Sequence, residues 1–449
     1  MSLKIELWAV LLIVLLGMVA AMGFGFAAVD GERGAKRFGA LSKTALFVAE
    51  IPDTVKAAMK DQNRMQVYDS GFFDGRATGW ATRDGSAMPK LDGYLLLSRY
   101  DGTLQRPVVE LTSMADWQVK HRWVIESDQL LGDFTHVSHH AEFTNWDSRY
   151  YRAIHPYLTP VGDLIFKDHT SPLLSVNACG ARNWIIRGKL FHHSTEPDGD
   201  GNLWVPSVVE PTTIPKVDPG FFEDEITQVS PTGQVLFTRS VPQMMLDHGL
   251  DYLLFTNGRY SFDPTHLNDI EPVLADGPFW RKGDLFLSLR NISAIVLYRP
   301  STDKIIWMKE GPWVAQHDVD ILDDHTIAVY DNRAEDRGGP RPFVDGHSDI
   351  AVFDFATGQV STILDQMMAD EHIQTIAAGQ YNALPGGYHL IEDVTHARFV
   401  LADPAQKFVA EFTNRAENGK VYQLGWSRFV TNQQGDAALS AMKGVDCNE

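Results

Sequence analysis

One phrase recurs along this chain, and its recurrence limits the folds open to it. It is clearest as QHDVDILDDHTIAVYDN from Gln316 to Asn332, where a histidine is followed by a turn and the turn by an apolar run of strand character. The same order stands in IHPYLTPVGDLIFKD from Ile154, in HHSTEPDGDGNLWVPS from His192 and, across a longer loop, in HLNDIEPVLADGPFWRKGDLFLSLR from His266. GQYNALPGGYHLIEDV from Gly379 is a version without the histidine. Further strand pairs follow around turns of the type VSPTGQVLF (Val229), YRPSTDKIIW (Tyr298), FDFATGQVST (Phe353) and LADPAQKFVAEF (Leu401). Short strands with Gly, Asp or Pro turns, repeating at roughly 40 to 70 residues, predict an all-β chain folded as a β-propeller. Innermost strand positions of a propeller converge on its central channel. His193, His266 and His317 are therefore expected to meet in one site although they lie far apart in sequence.

The 449 residues suffice for one large β domain, and the continuous repeat favours one. A net charge of −19 argues against nucleic acid as a partner, because an acidic surface repels phosphates. From Leu7 to Val29 the chain carries no charge, a length that spans a bilayer as a helix. A membrane anchor is the first reading and a cleaved signal peptide its competitor. Lys4 precedes the segment while Arg33, Lys36 and Arg37 follow it, a balance that does not favour a cytoplasmic N-terminus. Cys179 and Cys447 are too few for a disulfide scaffold but enough for one bridge; a bridge and two free thiols stay equally open.

Three segments are expected: an anchor over residues 1–30, a membrane-proximal helix and linker over 31–66, and the propeller over 67–449. The first blade is expected to start near Tyr68. Two stretches, Pro206 to Glu225 and Asn332 to Asp349, read as long loops of the kind that form rims or lids. Beyond Arg428 the tail reads as polar and weakly structured apart from a closing segment.

The phrase QHDVDIL…AVYDN, taken with DPTHLNDIEPVL…GDLFLSLRNISAIV…IIW upstream and HHSTEPDGDGNLWV before that, resembles the bacterial arylsulfate sulfotransferases. The likeness covers about Gly93 to Thr413. It implies a six-bladed propeller, without cofactor, whose channel histidine takes a sulfuryl group from a phenolic sulfate ester and passes it to a phenolic or other hydroxyl acceptor. The implied kinetics are ping-pong, with no nucleotide donor, and the propeller lies on the extracytoplasmic, periplasmic side. By the same resemblance His317 is the sulfated histidine, His266 and Asn268 form an HxN phrase, Arg290 belongs to an SR phrase, and His193 is the remaining catalytic histidine. Asn268, Asn332 and Arg333 are expected to bind substrate. HHS stands where the family often has HHD, and Arg333 stands where glycine is usual.

The chemistry of these side chains agrees with such a role. A neutral imidazole is a covalent nucleophile near pH 7. Sulfuryl transfer, like phosphoryl transfer, asks the protein mainly for positioning and for charge stabilisation on equatorial oxygens. Arg290 offers a planar fork of donors for them, Asn268 another hydrogen bond, and His266 or His193 a proton for the departing phenolate. His155, His325, His347, His372, His389 and His396 are read as structural. A metal centre ranks lower, because no close histidine pair pre-forms one and Arg290 would oppose a cation. The run from Asp198 lacks the glycine and terminal carboxylate of a calcium loop, so it reads as a turn. Two alternatives to the transferase remain: a hydrolase in which water is the acceptor, and a membrane-tethered propeller that only binds or assembles.

Overall fold

The structure, a computed structural model, describes residues 7–32, 37–46, 48–49, 65–67, 71–134, 140, 146–255, 260–339, 342–445 and 447. The chain forms two compact units, Met1–Arg64 and Met65–Glu449.

In the first unit the apolar run becomes a helix, Leu7–Glu32. Its Trp8–Asp30 stretch is exposed, and it is long and apolar enough to cross a membrane, a property that a signal sequence shares. Asp30 ends this stretch by accepting hydrogen bonds from the Arg37 and Phe38 amides and the Ser42 hydroxyl, at 3.0, 3.1 and 2.7 Å. A short helix over 40–46 follows. Most of the expected membrane-proximal helix, from 50 to 64, lies outside the described residues, as does Tyr68.

The second unit is a six-bladed β-propeller. Blades 2 to 5 are antiparallel meanders that open on Ile154–Leu158, Glu196–Pro197, Leu267–Pro272 and Val319–Ile321. Their fourth strands, such as Lys304–Glu310, are largely exposed and mark the perimeter, whereas second strands such as Leu285–Leu289 are buried on both faces. Continuous apolar sequence in the middle strands, with alternation at the edge, is what blades packed face to face require. Blade 6 runs Gln380–Ala383, His389–Asp393, Arg398–Ala402 and Phe408–Thr413, and gains a fifth strand, Gly79–Ala81. The segment just ahead of the first blade thus belongs to the last one.

The ring is closed from the tail. Arg428–Val430 supplies the innermost strand of blade 1, pairing Tyr94 with Val430 and Leu96 with Arg428, ahead of Tyr94–Asp101, Arg106–Ser113 and Gln118–Val124. The tail is more ordered than its polar composition suggests, because a helix, Asn432–Met442, follows. Thr431 caps it by accepting from the Gln434 amide, and Gly435 packs so tightly on Tyr94 that a Cβ there would stand 2.3 Å from the ring. Met442 joins the apolar core of blades 1 and 2, and Cys447 is bridged to Cys179. The bridged alternative for the two cysteines is the one the structure contains.

The Pro206–Glu225 stretch is loop only in its middle. Its ends belong to strands Leu203–Val209 and Glu223–Val229, where Pro206 pairs with Ile226. The Asn332–Asp349 stretch carries a small hairpin of Ala334–Glu335 with Phe343–Val344.

Candidate active site

Each innermost strand is entered through a residue in the left-handed region, or holds one just inside it: His155 (φ 43°), His193 (50°), His266 (52°), Ala315 (53°), Ala378 (56°) and Trp426 (56°). Such backbone costs a non-glycine residue about 1–2 kcal/mol, so six instances at one level of the ring must be held by the blades on either side. The repeat corrects one detail of the sequence pattern. His193 and His266 occupy the left-handed position, but in blade 5 Ala315 takes it and His317 stands two residues further on, the place of Thr195 in blade 3 and Asn268 in blade 4.

The structure brings the three histidines together. The His193 ring centroid lies 4.9 Å from that of His266 and 6.4 Å from that of His317. Trp426 lies 6.2 Å from both His193 and His317, and His169 packs edge-on to His193 at 4.5 Å.

The hydrogen bonds of His317 fix its tautomer. The Ala378 amide donates to Nε2 at 2.8 Å, so Nε2 carries the lone pair and Nδ1 the proton, which goes to Asn332 Oδ1 at 2.7 Å. Burial, and then the nearby Arg290 charge, hold the His317 pKa well below 6.5. Asn332, fully buried, also donates through Nδ2 to the Thr375 and Ala378 carbonyls, both at 2.8 Å. It clamps His317 to the turn that caps it. Its polar atoms are thereby engaged within the protein.

His266 is built differently. Its Nδ1 donates to Asp263 Oδ2 at 2.5 Å, and its backbone amide to Oδ1 at 3.1 Å. The ring is partly open, 29% exposed. A carboxylate on one nitrogen orients the ring and stabilises the imidazolium formed when the other takes a proton. His193 Nδ1 meets His192 Nδ1 at 2.7 Å, while His192 Nε2 lies 3.4 Å from the Ser207 carbonyl and 3.3 Å from Asp224. That chain assigns the His192 proton to Nε2 and the shared proton to His193 Nδ1, leaving His193 Nε2 bare. Burial lowers the pKa of His193 and His169 well below 6.5 and that of His192 to about 3. These imidazoles are neutral at pH 7.

Arg290 follows the second strand of blade 4, its amide donating to the His266 carbonyl at 3.1 Å. Its Nη1 donates to Asn291 Oδ1 at 2.8 Å, and it has no carboxylate ion pair among the described residues. Burial lowers its pKa, and its charge, with spare donors, acts on the His317 ring. Asn268 donates to the Gln316 carbonyl at 2.8 Å, and its Oδ1 has no partner among the described residues. Arg333 sits at φ 52°, in the left-handed region that favours glycine.

Sequence reasoning missed Trp426, His169, Asp263 and the Ala378 amide. Asp263 had a signal in the D-x-x-H spacing of DPTH, which recurs in DVTH, where His396 bonds to Asp393 at 2.8 Å. His155, read as structural, is buried at the ring, with Arg428 donating to its Nε2 at 2.9 Å and Arg428 paired to Glu196 at 2.9 Å. Further along the inner strands Asp269, Glu271, Asp318 and Asp320 have pKa values raised by burial and then by the charge of Glu196 and of one another. The Asp198 run is a turn, with Asp198 Oδ1 accepting from the Asp200 and Asn202 amides.

The arylsulfotransferase (ASST) family model matches residues 172–415, more than half of the chain and the span from blade 2 to blade 6 that carries His193, His266 and His317. The chain belongs to the arylsulfotransferase family. Membership assigns this arylsulfotransferase its activity in general terms, and with it small-molecule substrates. No curated protein matches the chain. Among solved structures it is similar to a protein of unknown function from Bacteroides caccae, at 13% identity over 75% of this chain and 99% of that one, with a TM-score of 0.47. It is also similar to virginiamycin B lyase from Staphylococcus aureus, at 11% identity over 59% and 71%, TM-score 0.36. The nidogen/laminin complex gives 10% identity over 76% and 100%, TM-score 0.43.

Proposed function

We propose that this arylsulfotransferase works by a ping-pong mechanism through a sulfohistidine at His317. The observation that carries the reading is the hydrogen-bond pattern of His317, a neutral imidazole whose Nε2 is the lone-pair nitrogen and whose Nδ1 is tied to Asn332. In the first half-reaction Nε2 attacks sulfur, the bond from sulfur to the aryl oxygen breaks, and the phenolate takes a proton from the His266 imidazolium. The Ala378 amide, released from Nε2, is then free to donate to a sulfuryl oxygen, and Arg290 supplies charge to the others. In the second half-reaction the acceptor hydroxyl gives its proton to His266, its oxygen attacks sulfur, and the nitrogen–sulfur bond breaks. Atoms and charge balance with no metal or nucleotide.

The remaining features are read with this one. The active channel belongs to residues 67–449, the anchor to 1–30 and the linker to 31–66. The apolar helix holds the enzyme to a membrane with the propeller on the extracytoplasmic side, where the Cys179–Cys447 bridge is chemically at home. His266 is the acid and base, Arg290 the charge clamp, and His193, with its bare Nε2, a second acceptor of the incoming proton. Asn268 and Arg333 contact substrate, and Asn332 positions His317.

Rapid mixing with a chromogenic aryl sulfate and no acceptor tests the mechanism. The expected result is a burst of one phenol per enzyme, abolished in His317→Asn and slowed in His266→Ala. A burst that survives in His317→Asn overturns the assignment of the nucleophile.

A further inference from the structure

A second concavity lies at the outer seam of the ring, between blade 1 and the last strands of blade 6, away from the histidines. It is a groove of about 840 Å³. Three properties of its lining define the chemistry it can hold.

The first is aromatic. Trp80, on the added outer strand of blade 6, and Trp117, in the last turn of blade 1, meet with ring centroids 4.5 Å apart at 49°. Neither ring is fully buried, and Trp117 is fixed by donating Nε1 to the Pro89 carbonyl at 2.8 Å. Both indoles line the groove, Trp80 backed by Phe399 and Phe412. The second is charge that is already matched. Arg99 pairs with Glu110 at 3.0 Å and Asp101 at 3.1 Å, and Arg122 pairs with the other oxygen of Glu110 at 2.6 Å. These planar groups keep spare donors and acceptors, and with Asp116, Arg415 and Glu417 also in the lining the acidic groups outnumber the basic ones, so an anion gains little here. The third is a set of polar atoms with no partner among the described residues: the Trp80 indole N–H and the hydroxyls of Thr112 and Thr413. Both threonines line the groove and are 2% and 0% exposed. A buried hydroxyl left without a partner costs about 1–3 kcal/mol, and a ligand hydroxyl is a natural partner for it.

Aromatic faces, neutralised planar side chains and waiting hydroxyls are together the requirements of a neutral ligand with C–H faces and many hydroxyl groups. We propose that this groove binds a neutral saccharide. The ring stacks its C–H face on Trp117 and Trp80, and its hydroxyls are met by the paired Arg99, Arg122 and Glu110 and by Thr112 and Thr413. The site is independent of the channel chemistry, since the groove shares no residue with the histidine cluster.

The test is saturation-transfer difference NMR on the full chain in a sugar-free zwitterionic detergent, with maltose, cellobiose and chitobiose as probes. The expected result is transfer to ring C–H protons of at least one disaccharide, lost in Trp117→Ala and weakened about tenfold in Thr112→Val, one hydrogen bond's worth. Thr112→Val removes an unpartnered hydroxyl without changing shape, so it unfolds in urea no earlier than wild type and covers the case in which Trp117→Ala fails to fold. Phenol release from an aryl sulfate stays at the wild-type rate in both folded variants. Absence of transfer from all three probes overturns the proposal, as does transfer that Thr112→Val leaves undiminished. Loss of phenol release in wild type would instead count against the sulfohistidine reading and leave this one standing.

Discussion

Asn332→Ala removes the residue that joins His317 to its capping turn, and the size of its effect follows from what it touches. Three hydrogen bonds of 2.7, 2.8 and 2.8 Å disappear together, and the side chain is fully buried. With the Ala378 carbonyl left unmatched, the His317 Nδ1–H left to the Ala315 carbonyl at 3.2 Å and the Thr375 carbonyl to Ser348 at 3.5 Å, the loss is about 2–4 kcal/mol, reduced wherever water enters the space. Against a domain stability of about 5–15 kcal/mol the variant stays mainly folded, most safely at low temperature. Its chemistry suffers separately. The imidazole keeps the tautomer set by the Ala378 amide but loses its shortest anchor, and a misplacement of the reacting atom by about 1 Å costs about 10²-fold in rate. The assay is phenol release from an aryl sulfate in stopped flow, divided by the folded fraction from circular dichroism, with urea unfolding in parallel. The expected outcome is a rate per folded molecule lowered about 10²-fold with little change in donor KM. A destabilised variant that still releases phenol at the wild-type rate per folded molecule refutes the argument from position.

Three further outcomes are expected. Arg290→Lys keeps the charge but loses the fork, so phenol release falls about 10²–10³-fold; urea unfolding stays close to wild type because Arg290 has no carboxylate ion pair among the described residues. Cys447→Ser opens a bridge between residues 268 positions apart, and calorimetry should show a loss of about 2–5 kcal/mol, the larger figure being that of the chain-entropy argument for so long a loop. The third concerns pH. The folded His317 pKa is lowered well below 6.5, so below about pH 6.5 the unfolded chain binds a proton there that the folded chain does not. Stability from this site is present above pH 6.5 and lost as pH falls. Between pH 6.5 and 5.5 the loss is about 1 kcal/mol per such group, and His317→Asn should show that much less acid destabilisation in urea titrations; equal slopes for both proteins contradict the burial argument.

The repeated phrase made the propeller legible because its information is local. A turn, a strand of given length and a polar residue at the strand entrance are all written within a few consecutive positions, as in QHDVDILDDHTIAVYDN. The meeting of His193 with His266 follows from that repetition. What was not legible depends on closure. Trp426 reaches the histidines only because Arg428–Val430 returns to complete blade 1, and nothing in WSRFV marks it as an innermost strand until Tyr94–Leu96 is there to pair with it. The Ala378 donor is a backbone amide, which every residue but proline carries, so its role rests on the left-handed turn beside it and not on its side chain. The offset of His317 was hidden for a related reason. Sequence spacing counts residues from the turn, whereas the channel counts from the left-handed residue, which in blade 5 is Ala315.

The central claim is that the sulfuryl group rests on His317 between the two half-reactions. Its most direct test is peptide mapping by mass spectrometry at neutral pH, after brief exposure of the full chain to an aryl sulfate without acceptor. The account predicts a sulfuryl increment on the peptide carrying His317, absent in His317→Asn and discharged when a phenolic acceptor is added. An increment on another residue, or phenol release with no increment anywhere, would contradict it.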